Sequence, residues 1–257
     1  MIDLDVIDTV IDTLIADATT LGEALAADFA AEGALAIEAR GKFTVAIPGG
    51  SVASTFFPHL ARLSFDWSRT EFFWTDERAV PPDDPESNYG LARSLWLHPA
   101  GVPAAQIHRM PADRPDLETA AREYADGLKR IAGDPPVLDF VLLGVGEDGH
   151  VASLFPGHQA SISEQALVAA VVDASKPPPR RITLTLPVLT SARRDIVAAL
   201  GKSKAAALRN GLEGPDSGLP IASVLHRSAR VLLLLDPDAA RNLTGGAQGP
   251  GGKPPRQ

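Results

Sequence analysis

Three times along this chain a short apolar run stops in a turn rich in glycine or charge, and that recurrence constrains the fold more than any other feature. Residues 43–47 run into Pro48-Gly49-Gly50-Ser51, residues 71–75 into Asp76-Glu77-Arg78, and residues 140–143 into Gly144-Val145-Gly146-Glu147-Asp148-Gly149-His150. Short apolar runs bounded by such turns read as strands buried on both faces. Helical stretches separate them, over residues 20–39, about 53–63 and 117–131; Leu21, Leu25, Phe29 and Leu35 mark one face of the first. Ser87 or Asn88 is placed to cap a helix running to Leu97. Further strands are expected at 106–110, 167–172, 182–186, 196–200 and 231–235, and a further helix at 203–210. Strands alternating with helices predict an α/β fold with a largely parallel sheet. In such a sheet the three turns share one edge, the edge at which these folds bind ligands.

The chain has 257 residues, enough for one large domain or two small ones. Residues 1–244 are expected to form a single α/β domain. The tail 245–257, made of Gly, Pro and polar residues without apolar periodicity, is expected to be disordered. Residues 1–18 suit strand and helix equally. The net charge of -8 argues against nucleic-acid binding, and it means that an anionic substrate needs a local cluster of Arg and Lys. Without cysteine there are no disulfides and no thiolate metal sites. No apolar run approaches the roughly 20 residues that span a membrane. The acidic N-terminus lacks the basic start of a signal peptide, so a cytoplasmic protein is expected.

The third turn carries the best catalytic candidate. His150 follows a glycine turn at a strand end, where side chains face a crevice, and histidine exchanges protons near neutral pH. Asp148, two residues earlier, can orient its imidazole. The same segment matches the dinucleotide fingerprint G-x-G-x-x-G at Gly144, Gly146 and Gly149, with Asp173 roughly 20 residues on. That fingerprint needs a long helix starting in the glycines, and Pro156-Gly157 forbids one. His59, His98, His108, His158 and His226 have no comparable setting and read as structural or surface groups.

The other turns supply binding groups. Gly49, Gly50 and Ser51 precede a helix, whose N-terminal N–H groups suit a phosphate; an ordinary capped turn reads equally well. Arg78 can pair with a negatively charged substrate oxygen, and Asp76 can hold Arg78 or a sugar hydroxyl. Arg180-Arg181 and Gly201-Lys202-Ser203-Lys204 are the candidates for the basic cluster. There is no G-x-S-x-G, H-E-x-x-H or G-x-x-x-x-G-K-[ST] motif.

In this order, the motifs resemble those of the 6-phosphogluconolactonases over nearly the whole chain. The resemblance rests on Ala46-Ile-Pro-Gly-Gly-Ser51, Asp76-Glu77-Arg78 with Ser87-Asn88, the signature from Gly144 to Gly157, Arg181 to Thr185, and Gly201 to Lys204. One departure is Val52-Ala53, where the family commonly has Thr-Pro; a threonine hydroxyl contact to phosphate is lost there. The resemblance implies a Rossmann-like, mostly parallel sheet flanked by helices, the fold shared with sugar-phosphate isomerases and deaminases, without dinucleotide chemistry. It implies hydrolysis of 6-phospho-D-glucono-1,5-lactone with His150 as base, Asp148 orienting it, and Arg78 on the lactone or its oxyanion. Arg181, Lys204, Gly50 and Ser51 would hold the 6-phosphate; the reverse assignment of Arg78 to phosphate and Arg181 to sugar stays open. No metal or cofactor is implied. The implied partner is a small sugar-phosphate lactone, with no nucleic acid and no membrane, and the chain is expected to be a monomer or weak homodimer. Deaminases of the superfamily carry Asn-Glu soon after Asp-Gly-His, where this chain has Ser153-Leu154-Phe155.

Overall fold

The computed structural model describes residues 9–243. The expectations for residues 1–8 and for the 245–257 tail fall outside the described residues. The N-terminal ambiguity resolves as a strand, β1 (Val10–Ile15). Next come α1 (Ala18–Arg40), β2 (Phe43–Ile47), α2 (Gly50–Leu60), β3 (Thr70–Trp74) and β4 (Asp76–Arg78). Then follow α3 (Asn88–Ala92), α4 (Leu117–Ala132), β5 (Phe140–Gly144), β6 (Val168–Val171) and β7 (Arg181–Leu184). The chain continues through α5 (Leu186–Thr190), β8 (Asp195–Ala199), α6 (Ala205–Glu213), α7 (Pro220–Arg227), β9 (Arg230–Leu235) and α8 (Pro237–Ala240).

Six strands form one sheet in the order β1-β9-β8-β5-β2-β3, every neighbouring pair parallel. All five residues of β2 and of β8 are buried, as expected where helices cover both faces. On β3 the two faces separate residue by residue. Phe72 packs edge-on against Trp96, which also meets Phe29 of α1, while Phe73 packs against Tyr124 of α4. Phe29 further touches Phe43 and Phe140, tying α1 across β2 and β5. Each such ring pair adds roughly 0.5–1.5 kcal/mol beyond its area burial, so the cluster fixes α1 over the sheet centre.

Caps set the helix limits. Asp17 accepts from the backbone N–H of Thr19 and Thr20, which starts α1 before Thr20. Gly41, in the left-handed conformation (φ 76°), ends it. Ser87 caps α3 by accepting from Gly90 N–H.

Three expectations need correction. Residues 106–110 form no strand; Ile107 makes only an isolated bridge to Phe72. Asp76-Glu77-Arg78, expected as a turn at a strand end, is strand β4 of a second, three-stranded antiparallel sheet, ordered β4-β7-β6. The expected strands near 168 and 182 also belong to this small sheet. The chain changes sheets at Thr75, whose N–H bonds to Ile47 of the large sheet and whose carbonyl accepts from Leu184 of the small one. Helix α7, which the sequence reading left out, starts at Pro220.

The order of the large sheet reverses between β2 and β5: from β2 the chain moves outward to β3, then returns to β5 on the other side. Ligands of open parallel sheets bind at such a switch point, beyond the carboxyl ends of the strands.

Candidate active site

The switch point holds a cleft of ≈ 240 Å³ lined by the turns that follow β2, β5 and β8, together with Asp76 and Arg78 of β4. His150, Arg78, Gly49, Gly50, Ser51, Asp76, Arg181 and Lys204 all line it. Asp148 stands behind His150. Arg180 and Lys202 lie outside: Arg180 donates to the Pro115 carbonyl on the surface, and the Lys202 side chain is exposed.

His150 is held by the geometry of its turn. Gly146 N–H donates to the His150 carbonyl (2.8 Å), and Gly149 N–H donates to the Gly146 carbonyl (3.1 Å). Gly149 has φ 84°, a conformation that glycine adopts without steric cost. Its carbonyl accepts from Ile221 N–H at the start of α7, so the turn is anchored at its far side too. A Cβ on Gly146 would lie 2.0 Å from His150 Nδ1 and 2.5 Å from Asp148 Oδ1. The His150–Asp148 pair therefore sits directly on the bare Gly146 backbone. No helix starts in these glycines; residues 145–158 form turns and one isolated bridge, and Asp173 pairs with His158. This is not the geometry of a dinucleotide loop.

His150 Nδ1 is 2.5 Å from Asp148 Oδ1. An ionised carboxylate only accepts, so Nδ1 carries the proton and Nε2 presents its lone pair. The ring leans on Phe155 (4.8 Å between centroids) and is mostly buried. Burial pushes the imidazole pKa down; Asp148 pulls it up, Lys176 adds to the depression, and the net shift is downward. For Asp148, burial acts upward, but the contacts with His150 and the charge of Lys176 outweigh it and lower the carboxyl pKa. Near neutral pH the pair is a carboxylate holding an uncharged imidazole.

Asp76 does not hold Arg78. Its carboxylate accepts from Ser153 Oγ (2.6 Å) and Asn88 Nδ2 (3.2 Å) and lies 3.9 Å from Arg181 Nη1. Arg78 instead donates from Nη1 to the Glu86 carbonyl (2.7 Å). The two arginines face each other in the β4–β7 register, a like-charge pairing that Asp76 and Glu86 offset. Glu77 points away from the cleft and organises its wall. It accepts from the backbone N–H groups of Arg78, Asn88 and Tyr89 and from Ser87 Oγ, which ties β4 to the start of α3.

Arg181 is nearly used up. Nε donates to the Pro178 carbonyl (2.8 Å), Nη2 to the carbonyls of Lys176 and Pro177 (3.0 Å each), and Nη1 to Ser153 Oγ (3.3 Å). Of the five N–H groups of a guanidinium, at most one remains for a ligand.

Across the cleft, α2 begins at Gly50 with no side chain capping its first turn, so its N–H groups and positive dipole end face the opening. A Cβ on Gly49 would lie 1.7 Å from Asn88 Oδ1, so only glycine lets this turn approach the β4–α3 wall. The departure at Val52-Ala53 is a packing matter: both are buried, and Val52 Cγ2 lies 3.0 Å from where a Cβ on Gly144 would stand.

Lys176 is the charged lining residue that the sequence reading missed; nothing in the run Lys176-Pro177-Pro178-Pro179 signals a site. With it, the cleft gathers four cations (Arg78, Lys176, Arg181 and Lys204) against one carboxylate, Asp76, in a chain of net charge -8. That contrast, beside an open helix N-terminus and a poised imidazole, suits an anionic substrate undergoing proton-assisted attack.

The family model described as glucosamine-6-phosphate isomerases/6-phosphogluconolactonase matches residues 16–233. A 6-phosphogluconolactonase of Rattus norvegicus is 41% identical over 232 residues, covering 87% of this chain and 90% of that protein. The solved 6-phosphogluconolactonase of Trypanosoma cruzi superposes with a TM-score of 0.81 at 25% identity, covering 93% of this chain and 98% of its own. A monomeric glucosamine-6-phosphate deaminase, 22% identical, superposes with a TM-score of 0.76, covering 90% of this chain and 99% of its own, and shares the fold alone.

Proposed function

The chain belongs to the glucosamine-6-phosphate isomerase/6-phosphogluconolactonase family, and on that premise we propose that its cleft hydrolyses 6-phospho-D-glucono-1,5-lactone to 6-phospho-D-gluconate, the second step of the oxidative pentose phosphate pathway. The observation that carries the reading is the uncharged His150, oriented by Asp148 and facing a cleft with four cations. His150 Nε2 takes a proton from water as the water oxygen attacks the lactone carbonyl. The carbonyl π electrons move to its oxygen, and Arg78 Nη2 meets the developing charge. When the tetrahedral intermediate collapses, the ring C–O bond breaks and the ring oxygen takes the proton from His150. Asp148 stabilises the imidazolium between the two transfers. The phosphate rests on Gly50, Ser51 and Lys204, with the last free N–H of Arg181. The substrate is a small sugar-phosphate lactone. Among the described residues no helix is long and apolar enough to cross a membrane.

Ser153 supports a lactonase over a deaminase, because its hydroxyl is committed to Asp76 and no acidic side chain follows His150 at that position. The test is a lactonase assay on freshly generated 6-phosphogluconolactone, corrected for spontaneous hydrolysis, with ammonia release from glucosamine 6-phosphate run in parallel. Acceleration of lactone opening without ammonia release is expected. Ammonia release with no lactone opening would replace the reading by the deaminase one.

A further inference from the structure

We propose that Lys176 is a further substrate-binding residue that meets the negative charge formed at the reacting end of the ligand, and that Arg181 serves chiefly to hold Lys176 there. The assignment rests on the lactonase reading of the same cleft.

Lys176 lines the cleft, yet it comes from a loop between β6 and β7 rather than from a strand end of the large sheet. Its ammonium pairs loosely with Glu147 Oε1, at 3.6 Å, and both side chains are substantially exposed. Glu147 belongs to the turn that presents His150, so the lysine stands on the His150 side of the cleft. An exposed ion pair of this length stabilises little. A ligand oxygen that becomes negative beside His150 is a better partner, because it is shielded by the cleft walls and gains a charge-assisted hydrogen bond.

The backbone at Lys176 is held firmly, whereas its half-exposed side chain makes the loose pair with Glu147. Three of the four donors that Arg181 spends go to the carbonyls of Lys176, Pro177 and Pro178. The guanidinium is itself buried and braced by Ser153 and Asp76. This chain of contacts runs from the small sheet to the lysine and fixes where its ammonium can reach. It also accounts for a buried arginine that keeps so few N–H groups for a ligand.

Two inhibitors separate the ends of the ligand: 6-phosphogluconate, with carboxylate and phosphate, and sorbitol 6-phosphate, with phosphate alone. In Lys176→Ala, inhibition by 6-phosphogluconate should weaken roughly tenfold or more, the loss of one hydrogen bond to a charged group, while inhibition by sorbitol 6-phosphate stays unchanged. Lys176→Arg should restore most of the difference. The acid limb of the kcat/KM profile should also move to higher pH in Lys176→Ala, because the ammonium depresses the His150 pKa. Equal weakening of both inhibitors would place Lys176 at the phosphate and overturn the assignment, and no change in either would remove it from the site. If the unaltered enzyme neither opens the lactone nor binds 6-phosphogluconate, the lactonase reading itself has failed.

Discussion

In the proposed reaction His150 can act as a general base only in the fraction of molecules where it is uncharged, and burial favours that fraction. His150→Ala should lower kcat by about 10²–10⁴-fold with a modest change in KM, measured against the spontaneous rate. Asp148 acts in the opposite sense to burial, since its charge raises the imidazole pKa. Asp148→Asn removes that influence, so the acid limb of kcat/KM should shift to lower pH while kcat falls through loss of orientation. A limb that stays in place would argue that Asp148 has no electrostatic contact with the working imidazole. At this scale the sequence was partly legible. The spacing Asp-Gly-His placed the pair, because their contact is only two residues long. The partner of Asp76 was not legible, because Ser153 is 77 residues away and reaches it only after the small sheet forms. Lys176 was hidden for the same reason: its place depends on the register of Arg181 in β7.

At the scale of elements, buried strands announce themselves. β2, β5, β8 and β9 are apolar because both faces are covered, and the parallel sheet could be read from them. The small sheet was legible only in part: strands were expected over its β6 and β7, but β4 is three charged residues and reads as a turn, and nothing in the sequence separates these strands from the large sheet. Strand β8 contains one discordant residue. Asp195 is fully buried, and neither of its carboxylate oxygens has a hydrogen-bond partner among the described residues. Burial pushes its pKa up to about 8, with the charge of Arg194 offsetting part of the effect. The unfolded chain titrates it near 3.8, so the folded state holds the proton across the window between the two values. The associated stability is fully present below the lower value and is lost as pH rises through the upper one, by on the order of 1.4 kcal/mol per unit within the window. Asp195→Asn cannot ionise. Its Tm relative to the parent, followed by thermal denaturation, should therefore rise from about pH 4 to about pH 8 and level off above that. A pH-independent difference would mean that Asp195 is already charged in the fold.

The molecule as a whole is anionic, yet it concentrates cations at one sheet edge. A phosphorylated substrate is repelled at long range and attracted at short range. Salt screens both, but only the cleft is in contact with the bound ligand. KM should rise as ionic strength increases from about 0.01 M to about 1 M, over which the screening length shrinks from about 30 Å to about 3 Å, with kcat nearly constant. A falling KM would show that the net charge outweighs the cleft.

The cleft is also assembled from distant parts of the chain. The turn after β2, strand β4, the turn after β5, the loop before β7 and the start of α6 each contribute at least one lining group. No fragment ending before Lys204 contains the complete set, and local opening of any one of these turns breaks it. Occupancy of the cleft therefore acts as a clamp on these separate segments at once. A ligand bound there, the proposed sugar phosphate included, shifts the balance against each partly unfolded form that loses a lining turn, and shields those turns from proteolysis in proportion to its concentration over Kd.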